Sequence, residues 1–173
     1  MKMERQNGTT FQGNPLTLIG SELRVVDKAP AFTARTLDLK PFTLDDTKGK
    51  IRLFSAVPSL DTPVCDTETR RFNMEAAKLG DKVEIVTVSV DLPFAQKRWC
   101  GAAGIDKIKI VSDYYDRSFS QAYGTLIKEL HLSSRAVFIV DDKDTIRYVE
   151  YVPEIVNEPN YERALAALKA LLH

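Results

Sequence analysis

The middle of the chain contains an eight-residue run, Val83 to Val90 (VEIVTVSV), in which six residues are β-branched. Such a run is typical of a β-strand. Ile51 to Val57 is a second run of strand length and is mostly apolar, as expected for a strand that is covered on both faces. Between the two, Pro63 to Leu79 has the composition of a helix, and Gly80 follows as the residue that ends it. This alternation of strand and helix predicts an α/β fold.

The rest of the chain extends the alternation. The other predicted elements are an N-terminal hairpin within Thr9 to Ile19, short strands at Ala31 to Ala34, Pro41 to Leu44 and Lys107 to Val111, helices at Pro93 to Cys100 (ended by Gly101) and Ser118 to Tyr123 (ended by Gly124), a second hairpin formed by Ala136 to Val140 and Thr145 to Val152, and a final helix at Tyr161 to Leu172. This order predicts a thioredoxin-like fold, in which helices flank a mixed central sheet and an N-terminal β-hairpin is added. Residues 1–173 contain no internal repeat, low-complexity segment or long linker, so we expect a single domain.

The charged residues balance, since Lys and Arg number 24 and Asp and Glu also number 24. A zero net charge argues against a nucleic-acid partner or a polybasic membrane protein, because both need net positive charge. No apolar run approaches the roughly eighteen residues of a transmembrane helix, and the segment from Met1 to Thr10 is too polar for a secretory signal. We therefore expect a cytoplasmic protein with neither a nucleic-acid nor a membrane partner.

Few residues in the sequence could bind a metal ion. The histidines, His131 and His173, stand apart, and the cysteines, Cys65 and Cys100, are 35 residues apart with no CxxC pair. Zinc would need two further ligands. We expect no metal and no other cofactor, and we expect His131 in a solvated loop or helix end and His173 at a mobile terminus. Two cysteines without metal spacing are either inert buried thiols or a redox pair.

Cys65 lies where the Ile51 to Val57 strand gives way to the next helix. Thr62 is a suitable N-cap, and Pro63 suits the first helical position, where the missing N–H would have no partner anyway. Cys65 is then in the first helical turn, where unpaired backbone N–H groups and the helix dipole favour an anion. A thiolate is such an anion, and it is the reactive form of cysteine.

The predicted helix also sets the direction of the Cys65 side chain. Cys65, Phe72, Ala76 and Leu79 fall on one helical face, so the sulfur should point along the packed side. This predicts a half-buried thiolate in a small pocket at the carboxyl end of a strand, where α/β proteins place their active sites. From the pattern alone, an inert buried cysteine explains the same residues.

The residues around both cysteines match a known signature. Pro58, Thr62 and Cys65 reproduce the PxxxTxxC pattern of the peroxiredoxins. The longer string PSLDTPVCDTETRRFN, the string DLPFAQKRWCGAAGI around Cys100 and the early FQGNP are similar to the thiol peroxidase subfamily, whose members are atypical two-cysteine peroxiredoxins. The resemblance runs from Phe11 to the C-terminal helix, and no matched catalytic position departs from the pattern.

The resemblance implies a thioredoxin-dependent peroxidase for organic hydroperoxides and hydrogen peroxide. The Cys65 thiolate would attack the peroxide and become a sulfenic acid, and Cys100 would resolve it as an intrachain disulfide. Thr62 would hydrogen-bond the thiolate and the peroxide oxygens, and Pro58 would shield the pocket from water. Thioredoxin would then reduce the disulfide, and members of the subfamily are usually homodimers.

Cys100 stands near the end of a short predicted helix, between Trp99 and Gly101. With Gly104 three residues further on, local unwinding should be easy at this point. We therefore expect the Cys100 segment to rearrange in order to meet Cys65, so the two sulfur atoms need not be at bonding distance in the reduced protein.

The subfamily also has an arginine that polarises the site, and its match is Arg135. The predicted strands support this assignment. If Ala136 to Val140 runs antiparallel to Ile51 to Val57, its start lies beside the end of the other strand, and Arg135 would sit next to Cys65 and stabilise the thiolate. Without the resemblance, a surface salt bridge is the simpler expectation for this arginine.

Three classes of function compete for these residues. A cysteine peroxidase would use Cys65 to attack and Cys100 to resolve. A disulfide oxidoreductase on the same fold would need a CxxC pair, whereas Asp66, Thr67 and Glu68 follow Cys65. A non-enzymatic domain with a structural disulfide would be unusual in the cytoplasm. The resemblance makes the peroxidase the prediction.

Overall fold

The computed structural model describes residues 3–172, which form ten strands and four α-helices. The strands are β1 (Glu4–Phe11), β2 (Asn14–Ile19), β3 (Thr33–Arg35), β4 (Pro41–Thr43), β5 (Ile51–Ala56), β6 (Val83–Ser89), β7 (Lys109–Ser112), β8 (Leu126–Ile127), β9 (Ala136–Val140) and β10 (Ile146–Tyr151). The helices are α1 (Pro63–Leu79), α2 (Pro93–Ala103), α3 (Ser118–Ala122) and α4 (Tyr161–Ala170), and Leu44–Thr47 is a short 3₁₀ helix.

Seven strands form the central sheet, in the order β10-β9-β5-β6-β7-β3-β4. β5, β6 and β7 are parallel neighbours, whereas β9 runs antiparallel to β5. The sheet is therefore mixed, as predicted. The predicted N-terminal hairpin is β1 and β2, which joins β8 in a separate three-stranded sheet.

The two faces of the central sheet carry separate apolar clusters because side chains alternate along each strand. Leu53 of β5 packs with residues of α1 and α4, such as Phe72 and Leu165. Phe54, the next residue, packs on the opposite face in a cluster that contains Phe119. α1 and α4 therefore cover one face, and α3 with an aromatic cluster that includes Phe119 covers the other.

Two predicted boundaries were wrong in an informative way. α2 continues through Gly101 and ends only at Gly104, which has a left-handed φ of 69° and donates its N–H to the Cys100 carbonyl. A glycine inside a helix costs only about 1 kcal/mol, so Gly101 does not end it. β1 begins at Glu4 rather than near Thr9, because its first residues are polar and exposed and give no apolar alternation to detect.

In the part of the chain that the structure describes, no helix combines the length and the apolar character that a membrane span requires.

Candidate active site

Cys65 lies in the first turn of α1, just beyond the end of β5. Its side chain has 0% exposure and packs in a small apolar cluster with Val57, Leu60 and Ile110. The expected half-buried thiol is therefore wrong in degree. Leu60 belongs to the loop that leads into α1 and packs in the same cluster as Cys65, which the helical pattern of α1 could not show.

Arg135 reaches this enclosed sulfur from the neighbouring strand. β9 pairs antiparallel with β5, and Ala136 lies opposite Ala56, so Arg135 comes directly beside the start of α1. Its Nη2 donates a hydrogen bond of 3.2 Å to Cys65 Sγ, and Arg135 is only 1% exposed. The position expected from the strands is confirmed, and the alternative of a surface salt bridge is wrong.

Two further hydrogen-bond acceptors hold the Arg135 guanidinium in the orientation in which it bonds Cys65 Sγ. The Ile155 carbonyl oxygen accepts from Nε at 3.0 Å and from Nη2 at 2.7 Å. Glu68 Oε2 accepts from Nη1 at 2.6 Å. Burial opposes a charged guanidinium, but the charges of Glu68 and Cys65 outweigh it and raise the pKa of Arg135 above its usual value. The guanidinium is therefore a fixed positive charge at the sulfur.

Glu68 is a member of the site that the sequence reasoning missed. It is fully buried, one helical turn after Cys65 on the same face of α1, and its Oε1 also accepts from Ser55 Oγ at 3.2 Å. Burial raises the pKa of Glu68 to about 7, although Arg135 and Ser55 pull in the opposite direction. The three-residue spacing from Cys65 was the available signal, but a glutamate on a helix is ordinarily a solvated residue.

Thr62 and Pro58 lie in the loop between β5 and α1. Thr62 is the N-cap residue, as predicted, but its side chain makes no capping bond. Its hydroxyl instead donates to the Ser59 carbonyl at 2.8 Å, and within residues 3–172 no hydrogen bond joins it to Cys65 Sγ. The Thr62 hydroxyl thus donates its hydrogen bond to the backbone of its own turn. Pro58 is also buried.

Asp91 anchors the same loop and was also missed by the sequence reasoning. Its carboxylate accepts from Ser59 Oγ at 2.7 Å, from the Leu60 backbone N–H at 2.8 Å and from Ser89 Oγ at 2.7 Å. Asp91 lies between β6 and α2. It therefore ties the loop before α1 to the start of the helix that carries Cys100.

Cys100 lies in the last turns of α2 and packs, half-buried, against the apolar cluster around Cys65. Both thiols are free. Burial raises the pKa of the Cys100 thiol. A cavity of about 400 Å³ opens next to this region, in front of the first turn of α1, and is lined by Leu60, Asp61, Thr62, Pro63, Asp66 and Trp99.

The chain has relatives among known proteins. Residues 24–165 match the family model described as Redoxin. The chain belongs to the redoxin family. A thiol peroxidase of Halalkalibacterium halodurans is 60% identical over 163 residues, which cover 94% of this chain and 98% of that protein. A thiol peroxidase of Bacillus subtilis is 55% identical over 163 residues, or 94% of this chain and 97% of that protein.

The solved structures agree with this assignment. The crystal structure of a peroxiredoxin-like protein from Aquifex aeolicus superposes with a TM-score of 0.90 at 40% identity and covers 99% of both chains. The redoxin described here is thus one of the thiol peroxidases, the peroxiredoxin subfamily that its sequence resembles, and its predicted thioredoxin-like fold is confirmed.

The remaining candidate ligands of this redoxin lie outside the site. His131 is exposed, in a loop after β8, and His173 lies outside the described residues. Among residues 3–172, no group of three or more His, Cys, Asp or Glu side chains is arranged to hold a metal ion. What the site offers chemically is an enclosed sulfur at a helix N-terminus with a guanidinium bonded to it, an arrangement that activates a thiolate nucleophile.

Proposed function

We propose that this redoxin is a thiol-specific peroxidase that reduces organic hydroperoxides and hydrogen peroxide through Cys65. The observation that carries the proposal is the 3.2 Å hydrogen bond from Arg135 Nη2 to Cys65 Sγ inside the first turn of α1. A fixed guanidinium and a helix N-terminus both favour negative charge on the sulfur. The thiol peroxidases related to this chain support the same activity.

In the first step, the Cys65 thiolate attacks the terminal oxygen of the hydroperoxide ROOH. The S–O bond forms as the O–O bond breaks, and the leaving oxygen takes a proton to become the alcohol, or water when the substrate is hydrogen peroxide. Arg135 stabilises the charge as it passes from sulfur to the leaving oxygen. Thr62 accepts a hydrogen bond from the peroxide, because a hydroxyl that donates to Ser59 can still accept through its oxygen. Pro58 keeps water from the sulfur.

In the second step, Cys100 resolves the sulfenic acid. The Cys100 thiol displaces hydroxide from Cys65 S–OH, which gives the Cys65–Cys100 disulfide and one water molecule. In the packed arrangement, burial raises the pKa of Cys100 and so opposes its ionisation. A rearrangement of the α2 end would expose Cys100 to solvent and favour the thiolate that attacks. Thioredoxin then reduces the disulfide and returns both thiols.

We also propose that the chain works as a single domain, as a homodimer and in the cytoplasm. A reducing compartment suits two cysteines that must return to the thiol form after each turnover. The homodimer is supported by three large, exposed apolar residues, Leu92, Phe94 and Tyr115, which follow β6 and β7 at the same edge of the sheet as Cys65. Light scattering on the reduced protein tests the oligomeric state.

Steady-state turnover with cumene hydroperoxide, thioredoxin and thioredoxin reductase tests the activity. The wild-type protein should turn over, Cys65→Ser should be inactive, and Cys100→Ser should form the sulfenic acid once and should not turn over. Peroxide consumption by Cys65→Ser at the wild-type rate would contradict the proposal. A wild-type protein that is active only with a small dithiol would retain Cys65 as the nucleophile but reject thioredoxin as the reductant.

A further inference from the structure

The residues that adjoin the two cysteines in the sequence are bonded to each other across α1 and α2. Asp66 follows Cys65, and Trp99 precedes Cys100. The Trp99 indole Nε1 donates to Asp66 Oδ2 at 3.0 Å. This bond links the first turn of the helix that carries one cysteine to the last turns of the helix that carries the other.

Arg70 completes the link. It forms an ion pair with Asp66 one turn along α1. Its guanidinium lies 5.7 Å from the centroid of the Trp99 ring, and its Nη1 is 3.5 Å from the carbonyl oxygen of Ala103, the last residue of α2. The hydrogen bond from Arg70 is the main cause that lowers the pKa of Asp66, so the carboxylate stays charged at neutral pH and accepts strongly from the indole. We call Asp66, Arg70 and Trp99 the clasp.

We propose that the clasp delays the resolving step, because it holds Cys100 in its helical, packed position until the clasp opens. The inference rests on the proposed function, in which Cys100 resolves the sulfenic acid of Cys65. Within the described residues no hydrogen bond joins the two sulfur atoms, and Cys65 has 0% exposure. A disulfide requires the sulfurs at bonding distance, so the turn that contains Trp99 must move with Cys100 and withdraw the indole from Asp66.

The clasp therefore governs a competition for the sulfenic acid. Closure of the disulfide converts Cys65 S–OH and Cys100 S–H to the S–S bond and water. A second hydroperoxide instead transfers an oxygen atom to Cys65 S–OH, which gives the sulfinic acid and an alcohol. A clasp that delays the first reaction increases the share of the second when peroxide is in excess.

Trp99 is the only tryptophan in the sequence, so its emission reports directly on the clasp. In stopped-flow experiments the resolving step is the phase whose rate does not depend on peroxide concentration. Asp66→Ala, which removes both the ion pair and the indole acceptor, should speed this phase about fivefold, the effect of losing one partly exposed bond to a charged group. Asp66→Asn keeps an acceptor oxygen and should fall between Asp66→Ala and the wild type.

Trp99→Phe removes the indole donor and keeps an aromatic ring at the site. Its disulfide formation, followed by rapid quenching and intact mass, should also be about fivefold faster, and the double variant Asp66→Ala/Trp99→Phe should be no faster than either single variant. Such non-additivity is the signature of one shared interaction and does not arise from two independent losses of stability. In excess peroxide, each of these variants should give less sulfinic acid than the wild type.

Asp38→Asn is the matched control, because Asp38 also pairs with an α2 residue, Lys97, at 3.2 Å, but outside the clasp. Its resolving rate should stay within twofold of the wild-type rate. Wild-type resolving rates in the Asp66 and Trp99 variants, slower resolution, or additive effects in the double variant would each overturn the proposal. If the wild-type protein itself consumed no peroxide, the proposed function would fail first, and the two failures are thus distinguishable.

Discussion

Arg135→Met removes the donor to the Cys65 sulfur while keeping a flexible side chain of similar reach. Arg135 Nη2 lies 3.2 Å from Sγ, and both groups are buried. A hydrogen bond to a charged group contributes about 1.5–3 kcal/mol. Loss of that much stabilisation of the transition state slows the reaction with peroxide about ten- to a hundredfold.

The same substitution removes the ion-pair partner of Glu68, whose Oε2 lies 2.6 Å from Arg135 Nη1. Breaking a buried ion pair ordinarily costs about 3–5 kcal/mol of stability. Because the pKa of Glu68 is already raised to about 7, its carboxylate can take up a proton when the guanidinium is absent. We therefore expect a stability loss near the lower end of that range, measured by urea unfolding.

The assay is stopped-flow reaction with cumene hydroperoxide in a Cys100→Ser background, which isolates the first step. Arg135→Lys serves as the second variant, because it keeps the positive charge but a single ammonium group cannot reproduce the planar contacts to Cys65, Glu68 and the Ile155 carbonyl. Its rate should lie between those of the parent and the methionine variant. A folded methionine variant that reacts within twofold of the parent would refute this role for Arg135.

Three further predictions concern residues around the sulfur. Burial raises the pKa of Glu68 to about 7, so the folded protein holds a proton that the unfolded chain releases above about pH 4.3. The free energy of unfolding should therefore fall by about 3 kcal/mol as pH rises from about 4.3 to about 7. Urea unfolding at pH 5 and pH 8 should show this fall in the wild type but not in Glu68→Gln. An equal dependence on pH in the two proteins would contradict the prediction. Thr62→Val should slow the peroxide step. It should also lower the free energy of unfolding by about 1 kcal/mol, because the hydrogen bond to Ser59 is lost. An unchanged stopped-flow rate would show that Thr62 takes no part in the peroxide step. Asp91→Ala should raise hydrogen exchange at the Leu60 amide at least tenfold, because that N–H donates to Asp91 at 2.8 Å; unchanged protection there would show that the loop is held by other contacts.

The resemblance to the subfamily singled out Arg135, and the predicted strands supported its position because strand pairing is a regular geometry. Once β9 is antiparallel to β5, the residue before β9 must lie beside the residues that follow β5. The first-turn position of Cys65 follows in the same way from proline and threonine at the start of α1. These elements are local or periodic, and both leave a signal in a single sequence.

Glu68 and Asp91 left no comparable signal. Glu68 lies in a polar stretch of α1 and Asp91 in the short connection between β6 and α2, and their partners come from other segments of the chain: Arg135 for Glu68, and Ser59 with the Leu60 amide for Asp91. Such partners are brought together only by the tertiary fold. The full burial of Cys65 has the same origin, because residues outside α1, such as Leu60 and Ile110, pack in one cluster with it.

The most direct test of a nucleophilic Cys65 resolved by Cys100 is the intact mass of the reduced protein, measured before and within seconds after one equivalent of cumene hydroperoxide. The account predicts that the wild-type protein loses two hydrogen atoms, that Cys100→Ser gains one oxygen atom, and that Cys65→Ser is unchanged. A wild-type protein that shows no rapid change, or two single variants that oxidise equally slowly, would contradict it.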